Sequence, residues 1–218
     1  MSFFFIRIYH MKLLSKLFHF VALTSKKYSI DESHGLYHSM DVLQYADSIY
    51  QNEIKQHPQL LDQQRIIYIS SILHDMCDKK YMNENEGIFH IESFLQDQIT
   101  PEEIDITKKI ISTMSYSTVK KNGFPELDKY QLAYHIVREA DLLAAYDFDR
   151  AIIYNLQQMN GDIYTAYNNS IKLFENRVFT HQKDGLLTTE YAKKCDVELT
   201  REAYKKIEFW KHIMLQCN

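Results

Sequence analysis

The sequence predicts an all-α fold, built as a single-domain helical bundle, on three observations. The 218 residues include only 5 Gly and 3 Pro, whereas an average chain of this length carries roughly three times as many Gly. Strand-rich folds spend Gly, Pro and Asn-Gly on tight turns, so this scarcity argues against a sandwich or barrel and for long helices with few connections. Apolar residues also recur at three- and four-residue spacing along most of the chain. Finally, a composition 45% hydrophobic and 25% charged is ordinary for a globular domain with a buried core.

The elements follow in order. Leu13, Leu14, Leu17, Phe18 and Val21 predict a first helix over 9–25, with an irregular lead-in before it. Ser33-His34-Gly35 breaks that pattern. Met40, Val42, Leu43, Ala46, Ile49 and Tyr50 predict a second helix over 36–55, stopped by His57-Pro58. Residues 61–73 form a third helix, apolar on several faces (Ile66, Ile67, Tyr68, Ile69, Ile72, Leu73) and therefore central. Asp78-Lys79-Lys80-Tyr81 is a loop. Ile88, Ile91, Phe94 and Leu95 define a helix over 85–98. Thr100-Pro101-Glu102-Glu103 opens another with an N-cap, Pro at the first position and acids in the first turn, running to Ser115. Lys120-Lys121-Asn122-Gly123-Phe124-Pro125 is a clear loop. Helices over 126–146 and 147–159 follow, then the turn Asn160-Gly161-Asp162, a helix over 163–179, and the turn Lys183-Asp184-Gly185. Thr188 caps a last helix to residue 214, with a candidate break at Cys195-Asp196. Gly87 reads as an ordinary connection. No internal repeat, low-complexity tract or linker interrupts the chain.

Charge and cysteine content narrow the function. A net charge of −4 offers no basic excess for wrapping a nucleic acid backbone, although a local basic pocket for a small anion fits. Cys77, Cys195 and Cys217 are dispersed, without Cys-x-x-Cys spacing, which suits a reducing compartment. The apolar start, Met1 to Ile6, is soon interrupted by Arg7, His10, Lys12, Lys16 and His19. It is too short for a membrane span and has the wrong charge order for a signal peptide. The expectation is a cytoplasmic protein, monomeric or homodimeric. The 16 Tyr and 12 Phe fall mostly at core-facing helical positions and are assigned to packing rather than base stacking.

Three features carry chemistry: His38 in Tyr37-His38-Ser39-Met40-Asp41, the pair His74-Asp75, and Asp141 in Val137-Arg138-Glu139-Ala140-Asp141-Leu142-Leu143. Each lies in an apolar helical stretch, where polar side chains are costly unless satisfied. Imidazole nitrogen with carboxylate oxygen is a ligand set for one divalent transition metal (Mn, Fe, Co, Ni or Zn). Two His and two Asp leave positions open for water and substrate.

The strings Ser33-His34-Gly35-Leu36-Tyr37-His38, Leu73-His74-Asp75-Met76-Cys77-Asp78-Lys79-Lys80-Tyr81 and Arg138-Glu139-Ala140-Asp141-Leu142-Leu143 together resemble the HD-domain superfamily of metal-dependent phosphohydrolases, in particular its small stand-alone members. The likeness spans about residues 30–200, in order. It implies His38, His74, Asp75 and Asp141 as metal ligands. It divides the chain into an N-terminal helix packed on the domain (1–25), a core carrying the metal site (26–160) and C-terminal helices completing the same domain (161–218). It implies hydrolysis of a nucleotide or other small phosphate ester or anhydride, with metal-bound water as the nucleophile. Nucleotidase, pyrophosphohydrolase and phosphodiesterase activities all fit.

Other residues have a functional and a plain reading. Asp78 follows His74 by one helical turn, within about 40° of it on a continuing helix; it is a catalytic acid or base, or a solvated loop acid. Lys79 and Lys80 bind phosphate or form a solvated pair, and the resemblance favours Lys80 as catalytic. His34 contacts phosphate or the attacking water, or helps start a helix. Arg138 orients Asp141, grips phosphate, or forms a surface ion pair. Arg150, Lys120 and Lys121 are further phosphate candidates, and Gly123 and Pro125 place the Lys120-Lys121 loop where it could close over one. Two competing functions remain: a di-iron HD-type oxygenase and a non-catalytic metal-binding helical module. The first needs extra His ligands, and the spacing of His90 and His135 suits that role poorly, His135 lying about 120° from Asp141 on a straight helix.

Overall fold

The computed structural model describes residues 3–158 and 161–217, with side chains from Lys12 onward. Among these residues there are ten α-helices and no strand: α1 (Phe3–Tyr28), α2 (Leu36–Glu53), α3 (Gln64–Leu73), α4 (Glu84–Leu95), α5 (Pro101–Thr113), α6 (Tyr116–Asn122), α7 (Gln131–Ala144), α8 (Phe148–Gln158), α9 (Ile163–Asn176) and α10 (Glu190–Gln216). Short 3-10 segments occupy Pro58–Gln63, Asp128–Tyr130 and Val178–Thr180. No helix among the described residues is long and apolar enough to cross a membrane.

Helices α2, α3 and α7 pack on one another at the centre. Val42, Ala46 and Ile49 of α2 meet Ile66 and Ile67 of α3 and Ile136, Val137, Ala140 and Leu143 of α7. The other side of α3 (Ile69, Ile72, Leu73) packs on Leu17 and Val21 of α1, Ile91 and Leu95 of α4, and Ile104 and Ile111 of α5. Helix α3 thus separates two apolar clusters, which is why its sequence is apolar nearly all round. A third cluster joins Phe148 and Ile152 of α8, Tyr167 and Phe174 of α9, and Ala203, Ile207 and Met214 of α10.

Local chemistry sets the ends. Ser29 (φ 54°) takes the left-handed position after α1, and the Ile30 N–H reaches back to Ser25 O at 2.9 Å. Thr100 and Glu103 form the capping box of α5 around Pro101, and Glu103 also pairs with Arg65 of α3, at 2.6 Å.

Several boundaries differ from the sequence expectation. Helix α1 extends back to Phe3, with no irregular lead-in among the described residues, because no Gly or Pro stops it; Met1 and Ser2 lie outside the described residues. Pro58 opens a 3-10 segment, so α3 starts only at Gln64. Helix α7 starts at Gln131 after the 3-10 turn. Met159 and Asn160, at the expected end of α8 and the turn after it, lie outside the described residues. Helix α9 stops at Asn176, because Arg177 leaves helical geometry (φ −135°). Helix α10 is unbroken at Cys195-Asp196, and its N-cap is Thr189 rather than Thr188; the Thr188 hydroxyl is used instead by Glu139. Gly87 is not a connection. It is buried within α4, where a Cβ would lie 2.6 Å from Cys77 Cα.

Candidate metal centre

Three chain segments deliver the centre. His38 sits in the first turn of α2, His74 caps the C-terminus of α3 with Asp75 in the turn that follows, and Asp141 lies in the last turn of α7. The C-terminal ends of α3 and α7 carry partial negative charge, which favours a cation between them.

The side chains converge. His38 Nε2 and His74 Nε2 are 3.1 Å apart. Asp75 Oδ2 is 3.3 Å from each of these nitrogens, and Asp141 Oδ1 is 3.3 Å from His38 Nε2 and 3.6 Å from His74 Nε2. The ligand atoms of His38, His74 and Asp141 all lie within 4.8 Å of one another. His74 Nδ1 is 2.8 Å from Ser71 O. A carbonyl only accepts, so Nδ1 carries a proton and Nε2 is the ring nitrogen that faces the centre.

The electrostatics fit a cation there. Burial, then the charge of Arg150, pushes His38 down to about 4, leaving a neutral imidazole at pH 7. His74 moves the other way: burial opposes it, but Asp75 and Asp141 raise its pKa well above the usual value. Burial likewise disfavours charge on Asp75 and Asp141, yet the imidazoles hold both carboxyls well below their usual range. Among the described residues, Asp75 Oδ2 and His38 Nδ1 are buried without hydrogen-bond partners. With both carboxyls ionised, positive charge is favoured at the centre, and two imidazole nitrogens with two carboxylate oxygens are a donor set that suits a divalent transition metal.

The centre opens into a cavity of about 520 Å³, lined among others by His34, His74, Asp75, Asp78, Lys79, Lys80, Asp141 and Arg150. On one wall, Lys80 Nζ is 3.1 Å from His34 Nε2 and 3.4 Å from Asp78 Oδ2. The Lys80 ammonium donates, so His34 Nε2 accepts. His34 Nδ1–H then faces Ser33 Oγ at 2.7 Å and Tyr81 Oη at 3.1 Å. Both hydroxyls donate in turn to Asp31, Tyr81 at 2.6 Å. Arg150 Nε donates to Ser33 O at 2.5 Å and fastens the turn carrying His34 to α8. Asp78 reaches the cavity although α3 ends at Leu73 and no continuing helix carries it there. Gly35 has an ordinary negative φ of −89°; its use is steric, because a Cβ would sit 3.2 Å from Asp31 O.

Three expected phosphate ligands lie elsewhere. Arg138 is 1% exposed, pairs with Glu139 at 3.2 Å and stacks 4.7 Å over the Phe124 ring. It does not line the cavity, because α7 is buried nearly all round and Arg138 faces into the protein. Lys120 pairs with Asp184 at 3.0 Å, and neither it nor Lys121 lines the cavity. Gly123 ends α6 at φ 76°. His90 binds Tyr28 and Glu86, and His135 contacts Gln131 and Arg138, so neither approaches the centre.

Comparison with protein-family models, curated proteins and solved structures finds no match to this chain.

Sequence reasoning missed several residues around the cavity. Asp31 stands three positions before His34 and reads as a loop acid. Tyr154 packs 5.5 Å from the His34 ring, and Tyr116 also lines the cavity. Arg177 was hidden by the expected continuation of α9. Behind Tyr116, His181 is 0% exposed, has no hydrogen-bond partner on either ring nitrogen among the described residues, and is driven down to about 3 by burial and then by Arg177.

Proposed function

We propose that this protein is a metal-dependent phosphohydrolase of the HD type, acting on a nucleotide or another small phosphate ester or anhydride. The observation that carries this reading is the convergence of two imidazole nitrogens and two carboxylate oxygens on one cavity whose wall also holds Lys80 and Arg150. His38, His74, Asp75 and Asp141 would hold one divalent transition metal. Such an ion supplies a Lewis acid for a phosphoryl oxygen and lowers the pKa of water near neutrality.

The chain's own groups do the rest. Asp31, through Ser33 and Tyr81, fixes the His34 ring. His34 and Asp78 in turn hold the Lys80 ammonium, a point charge for an anionic substrate. Asp78, which lines the same cavity, would take or return the proton of the leaving group. These groups lie on the turns before α2 and after α3, and their hydrogen bonds to one another supply the positional precision that catalysis demands.

A hydrolysis screen over nucleotides, phosphomonoesters and cyclic phosphodiesters with Mn, Co and Ni tests the reading. Turnover by the wild type, with Asp75→Ala inactive but still helical by circular dichroism, supports it. Asp78→Ala should lower turnover while metal remains bound. Full activity in Asp75→Ala contradicts the assignment. Metal retention without turnover on any ester would point to a binding module, and oxygen consumption with bound iron to an oxygenase.

A further inference from the structure

Cations line the cavity at Lys79, Lys80, Arg150 and Arg177. Lys79 is exposed to solvent. Lys80 is held by His34 and Asp78. Arg150 gives Nε to Ser33 O and Nη1 to Ala144 O, so its guanidinium is anchored to the backbone. Arg177 differs. The residue is half-buried, and its side chain makes no hydrogen bond or ion pair among the described residues. Its close neighbour is the Tyr116 ring, whose centroid lies 4.3 Å from the guanidinium carbon. The His181 ring packs against the same tyrosine at 6.1 Å.

The Arg177 nitrogens stay accessible from the cavity, where water or an anion can take their N–H donors. An anion there gains charge-assisted, two-pronged hydrogen bonds that are stronger than those to water. Arg177 feels the charges of Asp141 and Asp75, which places it within electrostatic range of the candidate metal centre, yet it pairs with neither. The break in α9 explains how it gets there. At φ −135° Arg177 leaves the helix, so its side chain turns to the cavity instead of continuing the helical surface.

The geometry points to Arg177 as the anion-recognition residue of this cavity: its planar fork takes a tetrahedral oxyanion, the phosphoryl group of the substrate, in a two-pronged hydrogen bond, with Tyr116 steadying the guanidinium plane. The identity of that oxyanion as substrate rests on the phosphohydrolase reading, whereas its binding requires no turnover.

The test is calorimetric titration of the full chain with inorganic phosphate and with pyrophosphate, in Mn-loaded and EDTA-treated protein. Wild type is compared with Arg177→Met and Arg177→Lys, with metal content measured in parallel. Arg177→Met should bind the anions about 10- to 100-fold more weakly, the size expected for charge-assisted hydrogen bonds, with Mn content unchanged. Arg177→Lys should recover only part of the loss, because an ammonium lacks the fork. Should Arg177→Met fail to fold, Arg177→Lys carries the test: a weaker affinity with a native circular dichroism spectrum supports the site. Equal affinity in a folded variant, or no binding of either anion by the wild type in either state, overturns it. Arg177-dependent binding in a protein that hydrolyses no ester leaves the anion site standing and removes the phosphohydrolase.

Discussion

Gly87→Ala tests how closely α4 presses on the turn that carries the proposed metal ligands His74 and Asp75. A Cβ at residue 87 would lie 2.6 Å from Cys77 Cα, 2.7 Å from Cys77 Cβ and 2.9 Å from Met82 Sδ. The Met82 side chain can swing away. The Cys77 backbone is held within a turn in which Met76 N–H bonds Leu73 O at 2.9 Å and Asp78 N–H bonds Asp75 O at 3.2 Å. Carbons in contact rest about 3.5–4.0 Å apart, so α4 and the turn must separate by about 1 Å. Helix propensity alone would favour alanine by about 1 kcal/mol. Overpacking costs about 1–3 kcal/mol, and lifting the buried Ile91 and Leu95 from their cluster adds to it. The net expectation is a loss of about 1–2 kcal/mol. At roughly 2–4 °C per kcal/mol for a domain of this size, Tm falls by about 2–8 °C. Cys77 lies two residues past Asp75, so metal affinity should fall as well. Thermal and urea unfolding followed at 222 nm, with metal retention after dialysis, make the measurement. A Gly87→Ala protein stabilised by the full propensity gain would refute the close approach.

Two further outcomes follow from buried carboxylates. Glu139, 0% exposed, accepts from Thr188 N at 2.7 Å, Thr189 N at 3.1 Å and Thr189 Oγ1 at 2.7 Å, and so ties the start of α10 to α7. Glu139→Ala strands these donors together with Arg138 and should cost about 3–5 kcal/mol in urea unfolding; a cost under about 1 kcal/mol would contradict that role. Burial disfavours charge on Asp31, but His34, Ser33 and Tyr81 hold its carboxyl well below the usual range. A lowered native pKa stabilises above the unfolded value, about 3.9, and the contribution disappears as pH falls through the native value. The stability advantage of wild type over Asp31→Asn should therefore be full at pH 7 and shrink below about pH 4; a difference constant from pH 7 to 3 would count against it.

The all-helical architecture was readable because Gly and Pro are scarce and the apolar spacing is regular. The Thr100-Pro101 helix start was readable too, since its capping chemistry is local. The convergence of His38, His74, Asp75 and Asp141 follows residues that the sequence singled out, because polar side chains in strongly apolar stretches stand out. Arg138 was misjudged for a physical reason: periodicity does not reveal that α7 is buried on nearly every side, with a salt bridge neutralising the charge inside. Gly87 and Arg177 were missed because their roles depend on tertiary neighbours. One needs the Cys77 backbone against it, and the other needs a helix to end a few residues early.

The central claim is that His38, His74, Asp75 and Asp141 form a single metal centre, and metal analysis of purified protein after exhaustive dialysis tests it most directly. The wild type should hold one divalent transition metal per chain. His38→Ala and Asp141→Ala, both folded by circular dichroism, should retain almost none. Metal-free wild type, or variants that keep the full complement, would contradict it.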